Sequence, residues 1–301
     1  MKITHRTCLV MLFAFASAGC ALTSTQREAT SRFAQASMEI GDFTSNEFSH
    51  FRSATIDMNT TSIAINGHAK ADNLDGAFNP DDTIERVKAA QALSSYGKLL
   101  LSLVNDTQAA ELKQASNNFV DSFKSISNKK MTNSQLEVLG QSVQAIGSIL
   151  VEAKKAAAVK TIVPAVTNDV NTSCDLLIND LTPSTSQLAT GFDATIRQLT
   201  QDSDSFLEKP DKSYTDRLIA SDGRRKAQEE NDHLAQISSQ AVKTLSALKA
   251  ANAQLVNALN DDSLSIADIK TLGKEANTLK VAIDALTKGK YWLTGGRLNL
   301  N

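Results

Sequence analysis

The sequence predicts an all-α fold, an elongated antiparallel helical bundle with coiled-coil-like long helices. Three observations carry this expectation. Of 301 residues, 39 are alanine, only 13 are glycine and 4 proline; alanine is the strongest helix former, and glycine and proline are the strongest breakers. Apolar residues recur at spacings of three and four along most of the chain, the period of one helix face. No stretch shows sustained period-two alternation of β-branched residues, and no exact internal repeat is found.

Composition also removes several functional classes. Lys and Arg number 31 against 33 Asp and Glu, for a formal net charge of −2. Nucleic-acid binding, which needs a basic excess, is not expected. Three cysteines do not make a disulfide scaffold.

The first residues read as an address. Lys2 and Arg6 form a positive start, and Cys8 to Ala16 is an apolar run too short to span a bilayer, which takes about 20 residues. Small residues follow, the layout of a secretory signal peptide. Ser17-Ala18-Gly19-Cys20 resembles the lipobox of bacterial lipoproteins, although a leucine is usual where Ser17 stands. The resemblance implies cleavage before Cys20 and attachment of diacylglyceryl and further palmitate-type chains to that cysteine. Two or three chains anchor stably where one binds only marginally. Ala21, rather than aspartate, follows the cysteine, which in Gram-negative lipoproteins implies transfer to the outer membrane. Ala16-Ser17-Ala18 also satisfies the rule for ordinary signal peptidase. Cleavage there leaves a soluble periplasmic protein beginning at Gly19. In the lipoprotein reading 282 residues remain, and loss of Lys2 and Arg6 takes the net charge from −2 to −4. Cys8 leaves with the signal, Cys20 becomes the anchor, and Cys174 alone stays a thiol. Cys174 shares a helix face with Val163, Val166, Val170, Leu177 and Leu181, so it reads as a buried core residue.

The chain therefore divides into a signal peptide (1–19), an acylated tether (20–25), a helical bundle (26–288) with hinges near 164 and 210, and a tail (289–301). A first helix is expected over 26–65, with Gly41 and the Thr-rich stretch 55–62 as places to bend. A loop runs from Asn66 to Asn79. Asn79-Pro80-Asp81-Asp82 starts the next helix with a cap, a first-turn proline and two acids at the positive dipole end. A third helix is expected over 108–126. Thr132 with Gln135 forms a capping box for a fourth, reaching 158. Pro164 starts or kinks a helix to 181, Thr182-Pro183 opens another, and Lys209-Pro210 ends it. A helix from near 212 pauses at Asp222-Gly223, then carries a coiled-coil seam of Leu234, Ile237, Ala241, Leu245, Leu248, Asn252, Leu255 and Leu259, with Asn252 placed to set register. Ser265 with Asp268 opens a last helix, and Gly289 ends it.

Chemistry is sparse. No catalytic motif, P-loop, serine elbow or zinc-protease pattern occurs, and no cofactor or metal ligand set is assigned. His50, His68 and His233 read as surface residues. Ala71 to Gly76 has the look of part of a calcium loop, but Ala71 stands at the first ligand position and cannot coordinate. Arg224-Arg225-Lys226 faces Glu229, Glu230 and Asp232 as a solvated ion-paired surface. Tyr291-Trp292 reads as a cap on the bundle end, with an interface as the alternative. No enzyme is expected; a cell-wall hydrolase is the class the compartment keeps open, because two carboxylates can suffice. The expected function is a membrane-anchored envelope lipoprotein with a scaffolding or protein-binding role. It would meet the membrane through its acyl chains and bind an envelope protein partner. Carriage of a small apolar ligand or lipid between the helices is one alternative. An entry-exclusion or inhibitor role on a partner protein is another.

Overall fold

The computed structural model describes residues 21–66, 73–105, 107–127, 129–146, 152–182, 186–261, 266–271, 273–278 and 281. Among these residues the fold is all-α, without a strand, and its long helices pack as a helical bundle. We label them α1 (Ser24–Asn66), α2 (Pro80–Val104), α3 (Ala109–Lys124), α4 (Asn133–Ile146), α5 (Glu152–Leu181), α6 (Gln187–Leu207) and α7 (Tyr214–Asn260). Residues 267–271 and 273–278 are also helical. No helix among the described residues is long and apolar enough to cross a membrane. The signal and lipobox, including Cys20, lie outside the described residues, as do His68, Pro183, Ser265, Gly289 and Tyr291-Trp292.

The chain forms two compact units. The first comprises Met1–Gly41, Gln91–Cys174 and Ala247–Gly273; the second comprises Asp42–Ala90, Asp175–Ser246 and Lys274–Asn301. The divisions fall inside helices, so α1, α2, α5 and α7 each contribute to both. Pro164 lies within α5, and Pro210 lies between α6 and α7.

In the first unit the aromatic core is Phe33, Tyr96, Phe119 and Phe123. Phe33 meets Tyr96 edge-on at 5.8 Å, and Phe119 meets Phe123 at 4.8 Å. The Tyr96 hydroxyl is buried without a partner, and burial pushes its pKa far up, so it stays a neutral phenol. Beside it, Gly97 lets α2 lie directly on the α1 backbone. A Cβ at 97 would stand 2.7 Å from the Met38 nitrogen and also overlap the Ala34 carbonyl. Cys174 is fully buried in the stripe of Val163, Val166, Val170, Leu177 and Leu181, as its periodicity predicts.

Helix ends in this unit are closed by side chains from elsewhere. Gln26 donates to the Ala258 and Leu259 carbonyls at the end of α7, both at 3.1 Å. Arg27 donates to the Val104 carbonyl at 3.0 Å, and buried Lys155 donates to that of Asn105 at 3.0 Å. Cations placed there answer the negative end of the α2 dipole. Glu152 ties the two together, at 2.6 Å from Arg27 and 3.6 Å from Lys155. The Arg27 guanidinium, helped by Lys155, holds the Glu152 carboxyl below its usual range. Asp169, also buried, accepts from the backbone nitrogens of Lys130 and Met131 and so secures the turn before α4.

In the second unit Phe51, Phe78 and Phe192 form the aromatic center, with Phe51 and Phe192 at 4.9 Å. Arg86 binds Asp180 at 2.6 Å, and Arg52 holds Asp75 through both carboxylate oxygens at 3.1 Å. Gly76 has a φ of +56°, the left-handed conformation that glycine tolerates, and turns the chain back toward α1.

Several local expectations meet the structure directly. Asn79 caps Asp82 at 2.9 Å, and Thr132 and Gln135 make the reciprocal capping box at 3.3 and 2.8 Å. Other signals were overridden. Helix α1 starts at Ser24, because Thr23 and Gln26 form a second capping box. It runs unbroken through 55–62: Thr55, Thr60 and Thr61 return their hydroxyls to carbonyls four residues back, so no backbone bond is lost. Pro164 does not start α5; it lies inside the helix at an exposed position, as does Lys160 four residues before it, so the N–H it lacks is missing from the solvent side. Gly223 does not interrupt α7; it admits Ser203, Ile65 and Thr61 against the backbone of that helix. The cap of α6 is Ser186, which accepts from Leu188 at 2.9 Å, while Thr182 bonds back within α5. Gln254 of α7 accepts from the Asp268 and Ile269 nitrogens; the Ser265 cap expected there lies outside the described residues.

Three substitutions test these contacts. Gly97→Ala forces the α1–α2 contact apart and costs about 1–3 kcal/mol in urea unfolding. Gly273→Ala meets open space and raises stability by up to about 1 kcal/mol. The third concerns pH. A carboxyl depressed in the folded state stabilises above its unfolded pKa and stops doing so as pH falls through the folded value. Glu152 is nearly half exposed, so Glu152→Gln costs less than about 1 kcal/mol at pH 7. That cost disappears in denaturant melts made well below the carboxylate range.

Candidate functional site

Several polar side chains in the two units close helix ends or turns. One largely buried group instead brings four titratable side chains together between two helices. In the second unit Glu47 and His50 of α1 face Glu230 and His233 of α7. In each pair the glutamate precedes the histidine by three residues, Glu47-Phe48-Ser49-His50 and Glu230-Asn231-Asp232-His233. Residues three apart share a helix face, so each helix offers one carboxylate and one imidazole to the other.

The helices are antiparallel here, and the two sets cross. His233 Nε2 lies 2.6 Å from Glu47 Oε2, and His50 Nε2 lies 2.9 Å from Glu230 Oε2. The two rings are 4.7 Å apart. Glu47 is 8% exposed and Glu230 and His233 are 7% exposed. The side chain of His50 is 30% exposed and forms the solvent edge of the group. Phe51 flanks both rings at 6.1 Å, backed by Phe78 and Phe192. His233 Nδ1 is buried without a partner. Two carboxylates thus stand against an aromatic wall, where charge is costly unless paired and hydrogen-bonded. Further along the same pair of helices Lys226 reaches Asp57 at 2.7 Å and Thr61 at 3.0 Å, in the same antiparallel register.

This arrangement corrects the reading of His233 as a surface residue, since it is buried, and makes His50 a half-buried, paired one. No two of the histidines stand at metal-ligand spacing, so neither drew attention in the sequence; the repeated Glu-x-x-His was the available signal. It also revises the basic stretch at 224–226. Arg225 pairs with Glu229 at 2.6 Å on the surface, as expected, and Arg224 reaches Asp204 at 3.2 Å. Glu230, however, turns inward to His50, and Asp232 accepts from Gln228. Of the calcium-like loop, Asp75 is engaged by Arg52, and Leu74 offers its carbonyl to Asn59 at 2.7 Å; Ala71 and Asp72 lie outside the described residues.

The second unit also carries an open groove of about 560 Å³, lined by Leu181, Leu234, Ala235, Val242 and Ser238, with Lys243 at its edge. At the start of α7, Tyr214 and Leu218 stand exposed one turn apart, with Ile219 alongside. Compared with family models, curated proteins and solved structures, the chain matches none.

Removing one member of a crossed pair strands its partner. Glu47→Ala is expected to cost about 1–3 kcal/mol in equilibrium unfolding. The double change Glu47→Ala with His233→Ala costs less than the two single changes added, the signature of a direct coupling.

Proposed function

We propose that this protein is an acylated lipoprotein of the bacterial envelope whose helical bundle works as a scaffold or protein-binding element. The observation that carries the reading is the Ala18-Gly19-Cys20 sequence directly after a short apolar run with a basic start. Acylation at Cys20 would supply the membrane attachment, consistent with the absence, among the described residues, of a helix able to cross a bilayer. Helix α1 begins four residues after Cys20, so an anchor there joins a helix rather than a long linker. The exposed Tyr214, Leu218 and Ile219 offer a contact surface of the kind that partner proteins cover. The absence of aspartate after the cysteine favours the outer membrane, facing the periplasm.

A second reading rests on the groove lined by Leu181, Leu234 and Val242, whose apolar wall suits a small apolar ligand or an acyl chain. The two readings separate on what is recovered after gentle extraction. Protein crosslinked in intact cells and lost on Tyr214→Ser with Leu218→Ser supports a binding surface. Stoichiometric lipid that survives those changes and is lost on Leu234→Gln supports carriage.

Anchoring is tested by intact-mass measurement of the purified protein and by membrane fractionation. The expected product begins at Cys20, carries acyl mass and sediments with membranes, and Cys20→Ala releases it. A chain beginning at Gly19 without added mass overturns the anchor and leaves a soluble periplasmic protein.

A further inference from the structure

We propose that Glu47, His50, Glu230 and His233 form a binding site for a single divalent transition-metal ion of the zinc class. As placed, the four side chains are closed on one another as two pairs, and no three such side chains among the described residues already converge on a metal position. The inference is that an ion takes the center of this quartet by opening both pairs. It is independent of the membrane anchor.

Four features support it. The first is the donor set. Two imidazoles and two carboxylates are borderline ligands that suit zinc and its first-row neighbours, and they do not suit the hard cations calcium and magnesium. The second is how the donors are presented. Facing helices that each project a Glu-x-x-His pair inward are a recognised way to build a metal center in a bundle. Two-ion centers of that kind draw further carboxylates from two more helices. Here the inner wall is Phe51, Phe78 and Phe192 instead, so four protein ligands remain, enough for one ion.

The third is charge. Two glutamates at 8% and 7% exposure bring two formal negative charges into an aromatic setting. Such charge must be balanced in place. One divalent ion bound between them supplies that balance. The fourth is that the site is adaptable and reachable. His233, with a side chain only 9% exposed, is bonded through Nε2 and has no partner at Nδ1, so no second hydrogen bond holds the ring against the shift an ion requires. His50, at 30% exposure, gives the ion a route from solvent.

Within each pair the opening is small. Around a tetrahedral zinc with bonds of about 2.0–2.1 Å, donor atoms stand about 3.3 Å apart. The present pairs are at 2.6 and 2.9 Å, so each must open by under about 1 Å, which side-chain torsions supply. The backbone is held on both sides by buried neighbours, Thr44 and Phe51 on α1 and Ala227 and Ile237 on α7.

The test uses the full chain, stripped with a chelator and dialysed against cobalt chloride or zinc chloride. One ion per chain is expected at micromolar free metal, with visible cobalt bands that zinc abolishes and a raised melting temperature. His50→Gln with His233→Gln should weaken binding by at least about tenfold and remove the bands, while His68→Ala leaves both intact. Far-UV circular dichroism reports whether the double variant folds. If it does not, His50→Ala, at the solvent edge, is the variant read, with the same loss expected. No stoichiometric cobalt or zinc on the parent protein overturns the proposal. So does binding of unchanged strength and spectrum in the folded histidine variant.

Discussion

A buried polar group has to find its partner, and that requirement governs how the two longest helices are used. Along α1 the buried positions follow a three–four spacing through Gln26, Thr30, Phe33, Ser37, Ile40, Thr44, Glu47 and Phe51. Many of these are polar. A purely apolar seam could slide by a turn at modest cost, because one leucine replaces another. A seam carrying Glu47 and His50 cannot, since a shift against α7 would leave two carboxylates buried and unpaired. In the second unit the crossed Glu–His pairs therefore fix register, and Lys226 with Asp57 repeats the same alignment at the surface. In the first unit the equivalent task falls to Gln26 at the end of α7 and to Asn252, which donates to the Thr167 carbonyl at 3.4 Å.

Small residues set how closely the helices approach. Gly97 brings two backbones together in the first unit, and Gly223 makes room for Ser203, Ile65 and Thr61 in the second. With few aromatic residues in the chain, tight approach does much of the packing that large side chains do elsewhere. Among the described residues the buried aromatic side chains gather in two clusters, one per unit, around Tyr96 and around Phe51. The cluster around Phe51 is also what makes the Glu–His quartet unusual, because it withholds water from the carboxylates.

Much of the helical layout could be read from the residues in order. Asn79-Pro80 and Thr132 with Gln135 act locally, through bonds within one turn, and the structure keeps both. The seam from Leu234 to Leu259 and the stripe around Cys174 are buried where periodicity put them. The errors share a cause. Pro164, Gly223 and the threonines at 55–62 are breakers by local propensity, and each is accommodated by what surrounds it: solvent beside Pro164, close neighbours at Gly223, back-bonded hydroxyls in α1. Propensities of this size yield to tertiary packing.

What the sequence by itself determined is the all-α class, the period of each helix face, several caps, and the burial of Cys174. These depend on neighbours within a turn or two. Only the tertiary structure decided the candidate site. His50 and Glu230 are 180 residues apart in the chain, and a Glu-x-x-His on one helix does not say which helix will face it. A lone histidine reads as solvated until a second helix arrives in antiparallel register and covers it. The physical reason is that burial and charge pairing are properties of two surfaces in contact, and the pattern along one strand of chain describes only one of them.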